Sequence, residues 1–230
     1  MTISVIIPTL NEEQALGQTL ADLPSSHTLE IIIVDGGSTD RTLAIANTFC
    51  AHTPKAQLVR APTGRARQMN EGAKACRGDI LLFLHADTQV VEEAPRIIES
   101  ALANPAVVGG RFDVRFDTRS GWGSIIGTLM NWRSRTSGIA TGDQAIFVRR
   151  HIFERLGGFA DIPLMEDIEF SRRLKRAGAT VALRQTVTTS FRRWEQQGPL
   201  RTILLMWTLR FLYWAGVNPS RLSRWYETVR

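Results

Sequence analysis

Three short stretches set acidic, amide or imidazole side chains directly behind apolar runs: Pro8-Thr9-Leu10-Asn11-Glu12, Asp35-Gly36-Gly37-Ser38 and His85-Ala86-Asp87. Carboxylates at the ends of neighbouring strands can accept hydrogens from a base or ribose, and one of them can hold a divalent cation that offsets diphosphate charge. Each acid alone also serves well as a turn or capping residue. It is the recurrence behind three successive strand patterns that argues for a ligand site. A second set lies further along. Thr141-Gly142-Asp143-Gln144 can bind hydroxyls through Asp143 and Gln144, or simply turn the chain into a short strand at 144–148. Glu166 and Asp167 stand at a helix start, where the macrodipole favours acids whatever their function.

The elements that must position these groups follow from hydrophobic periodicity. Arg77-Gly78-Asp79 turns the chain into Ile80-Leu81-Leu82-Phe83-Leu84, an unbroken apolar run of the kind buried on both faces of a parallel sheet. Ile3 to Pro8 and Leu29 to Val34 repeat that signature, and residues 57–60 repeat it more weakly. Between them lie helical patterns, one opened by Asn11-Glu12-Glu13, one from the capping residues Ser38-Thr39-Asp40 through Phe49, and one over 64–76. Strands alternating with helices over about ninety residues predict an α/β fold, a right-handed, doubly wound and mostly parallel sheet flanked by helices.

Beyond it the pattern predicts a helix over 94–103 and a strand over 107–116, for which an antiparallel orientation is open. Residues 122–135 read equally as an amphipathic helix or a loop. A helical turn over 152–156 stops at Gly157-Gly158, a helix over 166–177 stops at Gly178, and a strand covers 180–183. The division implied is a domain over 1–195, with a first half at 1–110 and a second at 111–195, followed by a basic helical segment at 196–230.

Charge narrows the partners. The 230 residues carry 28 basic side chains and a net charge of +6, and only Lys55, Lys74 and Lys175 are lysines. Arginine suits bidentate capture of phosphate. From Ser190 onward seven arginines face Glu195 and Glu227, so +5 of the +6 is local. Nucleic acid, an anionic membrane surface and phosphorylated substrates all fit such a tail, but no RNA- or DNA-binding signature accompanies it. Its main element, 199–216, mixes Ile203, Leu204, Met206, Trp207, Phe211, Leu212 and Trp214 with Arg201 and Arg210. That is too charged for a membrane span and fits an amphipathic helix. Three places suit it: a membrane surface, a second subunit as in a homodimer, or the domain's own core. Cys50 and Cys76, without C-x-x-C spacing, and a start directly on a strand pattern lead to the expectation of a reducing cytoplasm.

No G-x-G-x-x-G follows the first strand, and no Walker pattern occurs, so a nucleotide would be held in another way. Val5-Ile6-Ile7-Pro8-Thr9-Leu10-Asn11-Glu12, Val34-Asp35-Gly36-Gly37-Ser38-Thr39-Asp40, Gly64-Arg65-Ala66-Arg67-Gln68-Met69-Asn70 and the strand ending at His85-Ala86-Asp87 together resemble family 2 glycosyltransferases of the GT-A fold. The resemblance is strongest to small bacterial members associated with radical-SAM and selenodomain proteins, and it covers roughly residues 2–195.

The resemblance implies a nucleotide-diphosphate sugar donor, linked to UDP or GDP. By analogy Pro8, Thr9 and Glu12 line the nucleoside pocket, Asp35 contacts the base, Arg65 or Arg67 lies toward the base or diphosphate, and Asp87 ligates Mg²⁺ or Mn²⁺. The family's Asp-x-Asp is His85-Ala86-Asp87 here. That leaves three roles open for His85: a metal ligand, where imidazole would favour Mn²⁺, a hydrogen bond to ribose or phosphate, or packing alone. Glu166-Asp167 matches the family's acidic pair, with Asp167 as general base toward an acceptor hydroxyl, which implies single displacement with inversion at the anomeric carbon. The expected place is the cytoplasm, free or peripheral at the inner face of the membrane. Gly142, Asp143 and Gln144 match the acceptor loop. Arg193 and Trp194 sit where processive relatives carry Gln-x-x-Arg-Trp, but Ser190 replaces the glutamine, which weakens polysaccharide synthesis as a reading. Trp194 could stack on a sugar and Arg193 hold diphosphate. The alternatives are a sugar-phosphate nucleotidyltransferase and a non-catalytic module binding anionic surfaces.

Overall fold

The computed structural model of the chain describes residues 1–26 and 28–229. Strands β1 (Ile3–Thr9), β2 (Leu29–Asp35), β3 (Ala56–Arg60) and β4 (Ile80–Phe83) alternate with helices α1 (Leu16–Ala21), α2 (Thr42–His52) and α3 (Arg65–Ala75). They pair in parallel in the order β3-β2-β1-β4. The order reverses between β1 and β4, and such a switch point opens a crevice beyond the carboxyl ends of the strands. Pro8 and Thr9 end β1 at that crevice, and His85 and Asp87 follow β4 into it.

Successive strand residues point to opposite faces, so the apolar runs feed two layers at once. Val5, Ile7 and Leu82 pack with Leu16, Leu20, Ala46 and Ile98 on one side. Ile6, Leu81 and Phe83 pack with Ala66, Met69, Phe153, Phe159 and Phe170 on the other. Each of these side chains other than the alanines contributes roughly 1.5–3 kcal/mol when fully buried. Helix α3 lies close enough to β1 that a Cβ on Gly72 would stand 2.5 Å from Ile6 Cγ2.

The sheet continues without a break. β7 (Ile146–Arg149) runs antiparallel to β4 and to β6 (Val107–Phe116). β8 (Ala179–Thr189) is parallel to β6, and the two-residue β5 (Thr88–Gln89) closes the far edge antiparallel to β8. Residues 88–89, from the first half of the chain, thus complete the sheet of the second. Helices α4 (Ala94–Ala101), α6 (Arg150–Arg155) and α7 (Glu166–Ala177) cover the faces, and α7 has the bounds its spacing predicts.

Three local expectations change. Residues 121–137 form a full helix, α5 (Gly121–Ser137), with the Ser120 side chain accepting from Trp122 N and Gly138 ending it in the left-handed conformation. Gly142–Gln144 is a 3-10 turn in which Gln144 caps Thr141, so the strand begins only at Ile146. The strand over 180–183 extends to Thr189 because its half-polar second part pairs with Asp113 to Phe116 of β6. The tail folds as α8 (Arg192–Gln197), α9 (Pro199–Trp214) and α10 (Pro219–Val229). The inner faces of α9 and α10, through Leu209 and Leu222, cover Met165 beside the start of α7. Among the described residues no helix is long and apolar enough to cross a membrane.

Candidate functional site

A cavity of about 650 Å³ opens at the carboxyl edge of the parallel strands. Pro8, Glu12, Arg65, His85, Asp87 and Asp143 line one end, and Arg192, Arg193 and Trp194 join them from α8. Trp194 is braced edge-on by Phe116 and stacked on Phe191, while Arg193 lies over the Tyr226 ring. Thr9, Asp35, Arg67 and Gln144 stand outside the cavity wall. Thr9 donates its hydroxyl to the Val34 carbonyl. Asp35 is buried and accepts from the amides of Gly37 and Ser38, holding its own turn. Of the two arginines that open α3, Arg65 faces the cavity and Arg67 turns out to Asp161 at 2.8 Å. Gln144 is fully buried and accepts from Thr141 N.

Charge is concentrated where ligands would enter. Burial and the charge of Asp87 push the Glu12 carboxyl up, and Arg192, 3.4 Å away, pulls it back. His85 Nδ1 lies 3.1 Å from Asp143 Oδ1. Its Nε2 is buried without a hydrogen-bond partner among the described residues and lies against Gly142, where a Cβ would collide with it. Burial pushes Asp143 up, but the hydrogen bond and charge of His85, helped by Arg65 and Arg193, outweigh it and hold the group at about 2.

Glu166 and Asp167 line a smaller pocket behind this wall, together with Gly142, Arg65 and Met69. Asp167 accepts from Gly142 N at 2.9 Å and from Ile168 N at 2.7 Å. Burial first, then the charge of Asp167, pushes Glu166 up to about 7 against the opposing pull of Arg65 at 3.8 Å. Asn11, Ala145 and Met165, the non-glycine residues with positive φ among those described, all sit on loops that carry these groups. Held strain of that kind gathers at functional sites.

No group of three or more His, Cys, Asp or Glu side chains that could hold a metal occurs among the described residues. The donor set instead fits a hard cation held by one or two carboxylates plus substrate phosphates: Asp87 faces the cavity, and Glu12 is near enough to feel its charge.

The residues missed in the sequence are Arg192, Arg133 and Arg210, all in the cavity wall. Arg192 could have been suspected from its neighbours at 193 and 194. The signal for the other two is a basic residue recurring inside an otherwise apolar helical pattern.

The fold matches that of GT-A nucleotide-sugar transferases. The mannosyltransferase PcManGT from Pyrobaculum calidifontis, solved with GDP-Man and Mn²⁺, superposes with a TM-score of 0.64 at 22% identity, over 81% of this chain and 56% of that one. S. aureus TarS 1-349 in complex with UDP-GlcNAc gives 0.67 at 19% identity, over 83% and 58%. The family model described as Glycosyl transferase family 2 matches residues 4–157. The chain belongs to that family of enzymes. It is 29% identical over 216 residues to the probable glycosyltransferase YdaM of Bacillus subtilis, across 85% of this chain and 50% of that protein. It is 30% identical over 159 residues to the undecaprenyl-phosphate 4-deoxy-4-formamido-L-arabinose transferase of Pseudomonas fluorescens, across 65% and 46%. The chain thus spans about half the length of these relatives.

Proposed function

We propose that the chain transfers a sugar from a nucleotide-diphosphate donor, with a divalent cation, by single displacement and inversion at the anomeric carbon. The observation that carries this is the meeting of Pro8, Glu12, Arg65, His85, Asp87 and Asp143 in one cavity at the switch point of the sheet. Residues 1–110 serve as the donor half and 111–195 as the acceptor half, followed by the segment 196–230. The family membership supports this reading over the nucleotidyltransferase and the non-catalytic alternatives.

Glu12 and the turn held by Asp35 shape the nucleoside end. Arg65, Arg192 and Arg193 supply fixed positive charge toward the diphosphate, which needs no reorganisation as charge develops on the leaving group. Asp87 would hold Mn²⁺ or Mg²⁺ with the donor's phosphates, and a cation there adds Lewis-acid stabilisation of that group. His85 fixes Asp143 in the wall. For an acceptor hydroxyl the base is Asp167, with Glu166 beside it. For an acceptor that is already anionic no base is needed, and Asp167 then holds the Gly142 turn.

The acceptor side points to a membrane surface. Leu200, Leu204, Trp207, Phe211 and Trp214 recur at steps of four and three residues along α9 and are all exposed. A stripe of this kind, in a segment that also carries Arg201, Arg221 and Arg224, suits an interfacial helix on anionic lipid. The Pseudomonas relative, named for undecaprenyl phosphate, supports the same placement.

The test is thermal. UDP or GDP with Mn²⁺ should raise Tm, and Asp87→Ala should abolish the rise, while Asp167→Asn should retain it. Absence of any rise with every nucleotide diphosphate, with or without metal, would sink the reading. Metal-dependent hydrolysis of a panel of nucleotide sugars would then identify the donor without knowledge of the acceptor.

A further inference from the structure

The cavity has a second basic end. It runs between α5 and α9, where Arg133 and Arg210 enter its wall. Nε and Nη2 of Arg133 and Nε of Arg210 are closed off from solvent, and none meets a hydrogen-bond acceptor among the described residues. Among the described residues neither guanidinium makes an ion pair within 4 Å, although Asp143 and Asp167 act on both from further off. Burial first and then the charge of Arg210 depress Arg133 to about 10, and burial depresses Arg210 as well. Buried charges in folded proteins are ordinarily paired, so two neighbouring guanidiniums with idle donors mark a place where an anion completes the structure.

What lies beside them defines the rest of the ligand. Trp132 of α5 and Trp207 of α9 line the same cavity, yet each keeps about two-thirds of its surface exposed, at 66% and 68%. Trp132 ends a stripe of Trp122, Ile125 and Leu129, and Trp207 lies midway along the stripe of α9. The cavity therefore opens onto apolar surface immediately beyond the arginine pair.

We infer that Arg133 and Arg210 form an acceptor subsite that clamps the phosphate of a lipid phosphomonoester, whose hydrocarbon chain leaves the cavity past Trp132 and Trp207. The inference rests on the donor reading above and names the acceptor class for the same site. Asp143 and Asp167 act on both guanidiniums, which places the clamped phosphate near the reacting end of the cavity. One phosphate oxygen forms the new bond to the anomeric carbon as the bond from that carbon to the donor's diphosphate breaks, and the electron pair departs on the nucleotide diphosphate. A phosphomonoester is already anionic near neutrality, with a second pKa of about 6. No proton has to be removed, which agrees with an Asp167 carboxylate held by two backbone amides.

The experiment is a titration of the full chain with farnesyl phosphate, farnesol and inorganic phosphate, followed by tryptophan fluorescence. Farnesyl phosphate should bind at least tenfold tighter than either of the others. Arg133→Gln and Arg210→Gln should each weaken it tenfold or more, and Arg133→Lys, which keeps the charge but not the fork, should fall between. The Tm rise with nucleotide and Mn²⁺, which the proposal ties to Asp87 and to neither arginine, reports that each variant is folded. Equal binding of farnesol and farnesyl phosphate, or unchanged binding in both Gln variants, would overturn the inference. A wild-type chain that binds farnesyl phosphate but no nucleotide diphosphate would refute the donor reading and leave the arginine clamp standing.

Discussion

His85 Nδ1 and Asp143 Oδ1 meet at 3.1 Å, joining the loop after β4 to the turn that follows α5. The contact spans the two halves of the chain and fixes one wall of the cavity. It also gives the imidazole in the chain's His-Ala-Asp a structural partner from the second half of the chain.

That pair predicts an acid transition. The folded-state value of Asp143, about 2, lies below its ordinary 3.8, so the stabilisation is fully present above about pH 4 and is lost as pH falls toward 2. Asp143→Asn should lower Tm at pH 7, and the difference from wild type should shrink steadily below pH 4. The side chain remains 43% exposed, so screening keeps the effect to a few degrees. Calorimetric scans from pH 2 to 7 check it, and a difference that does not vary with pH would be inconsistent with the pairing.

Glu166 predicts the opposite slope. Its folded value, about 7, lies above the ordinary 4.5, so it costs nothing below pH 4.5 and opposes folding increasingly up to pH 7. Converted at 1.36 kcal/mol per unit, the penalty above neutrality is on the order of 3 kcal/mol as an upper bound. Glu166→Gln should therefore be more stable than wild type at pH 8 and nearly equal to it at pH 5. Urea unfolding at the two pH values reads this directly.

The two arginines that open α3 should separate cleanly. Arg67 and Asp161 form a pair with both partners more than half exposed, which is worth about 0–1 kcal/mol. Arg67→Ala should leave nucleotide affinity unchanged. Arg65→Ala should raise the Kd for UDP or GDP with Mn²⁺ tenfold or more, since it removes a fixed charge from the cavity wall. Titration calorimetry on both variants decides it, and equal losses would misplace the diphosphate.

The parallel half of the sheet was legible because Ile3 to Pro8, Leu29 to Val34 and Ile80 to Leu84 are buried on both faces, which leaves a continuous apolar run in the sequence. The three loops behind them could be read as one edge for the same reason. Which of two arginines turns inward was not legible, because Arg65 and Arg67 sit two residues apart on a helix and only the position of Asp161 separates them. Nor was the second half of β8, where the alternating pattern is diluted by Arg184, Gln185 and Thr186. Gln144 looked available for an acceptor because nothing in the sequence shows that a capping turn will bury it. Arg133 and Arg210 were hidden by the same logic: a charge on an amphipathic helix is normally assigned to water, and only packing of α9 near α5 encloses both.

The outer face of α9 yields the last prediction. Its inner face is already occupied, with Leu209 fully buried against Met165 and Leu222, so packing against the chain's own core does not explain Leu204, Trp207, Phe211 and Trp214 on the other side. Apolar side chains in that number lower free energy by leaving water, and arginines near an anionic surface add about 1 kcal/mol each at low salt. The chain should cosediment with vesicles containing anionic lipid, less so as salt rises, and weakly with neutral vesicles. Phe211→Ser with Trp214→Ser should reduce the bound fraction about tenfold without altering the nucleotide-dependent Tm rise, because neither side chain lines the cavity. If instead the chain sediments as a dimer that the same two substitutions dissociate, and vesicles are ignored at every salt concentration, the stripe is a subunit interface and the membrane assignment fails.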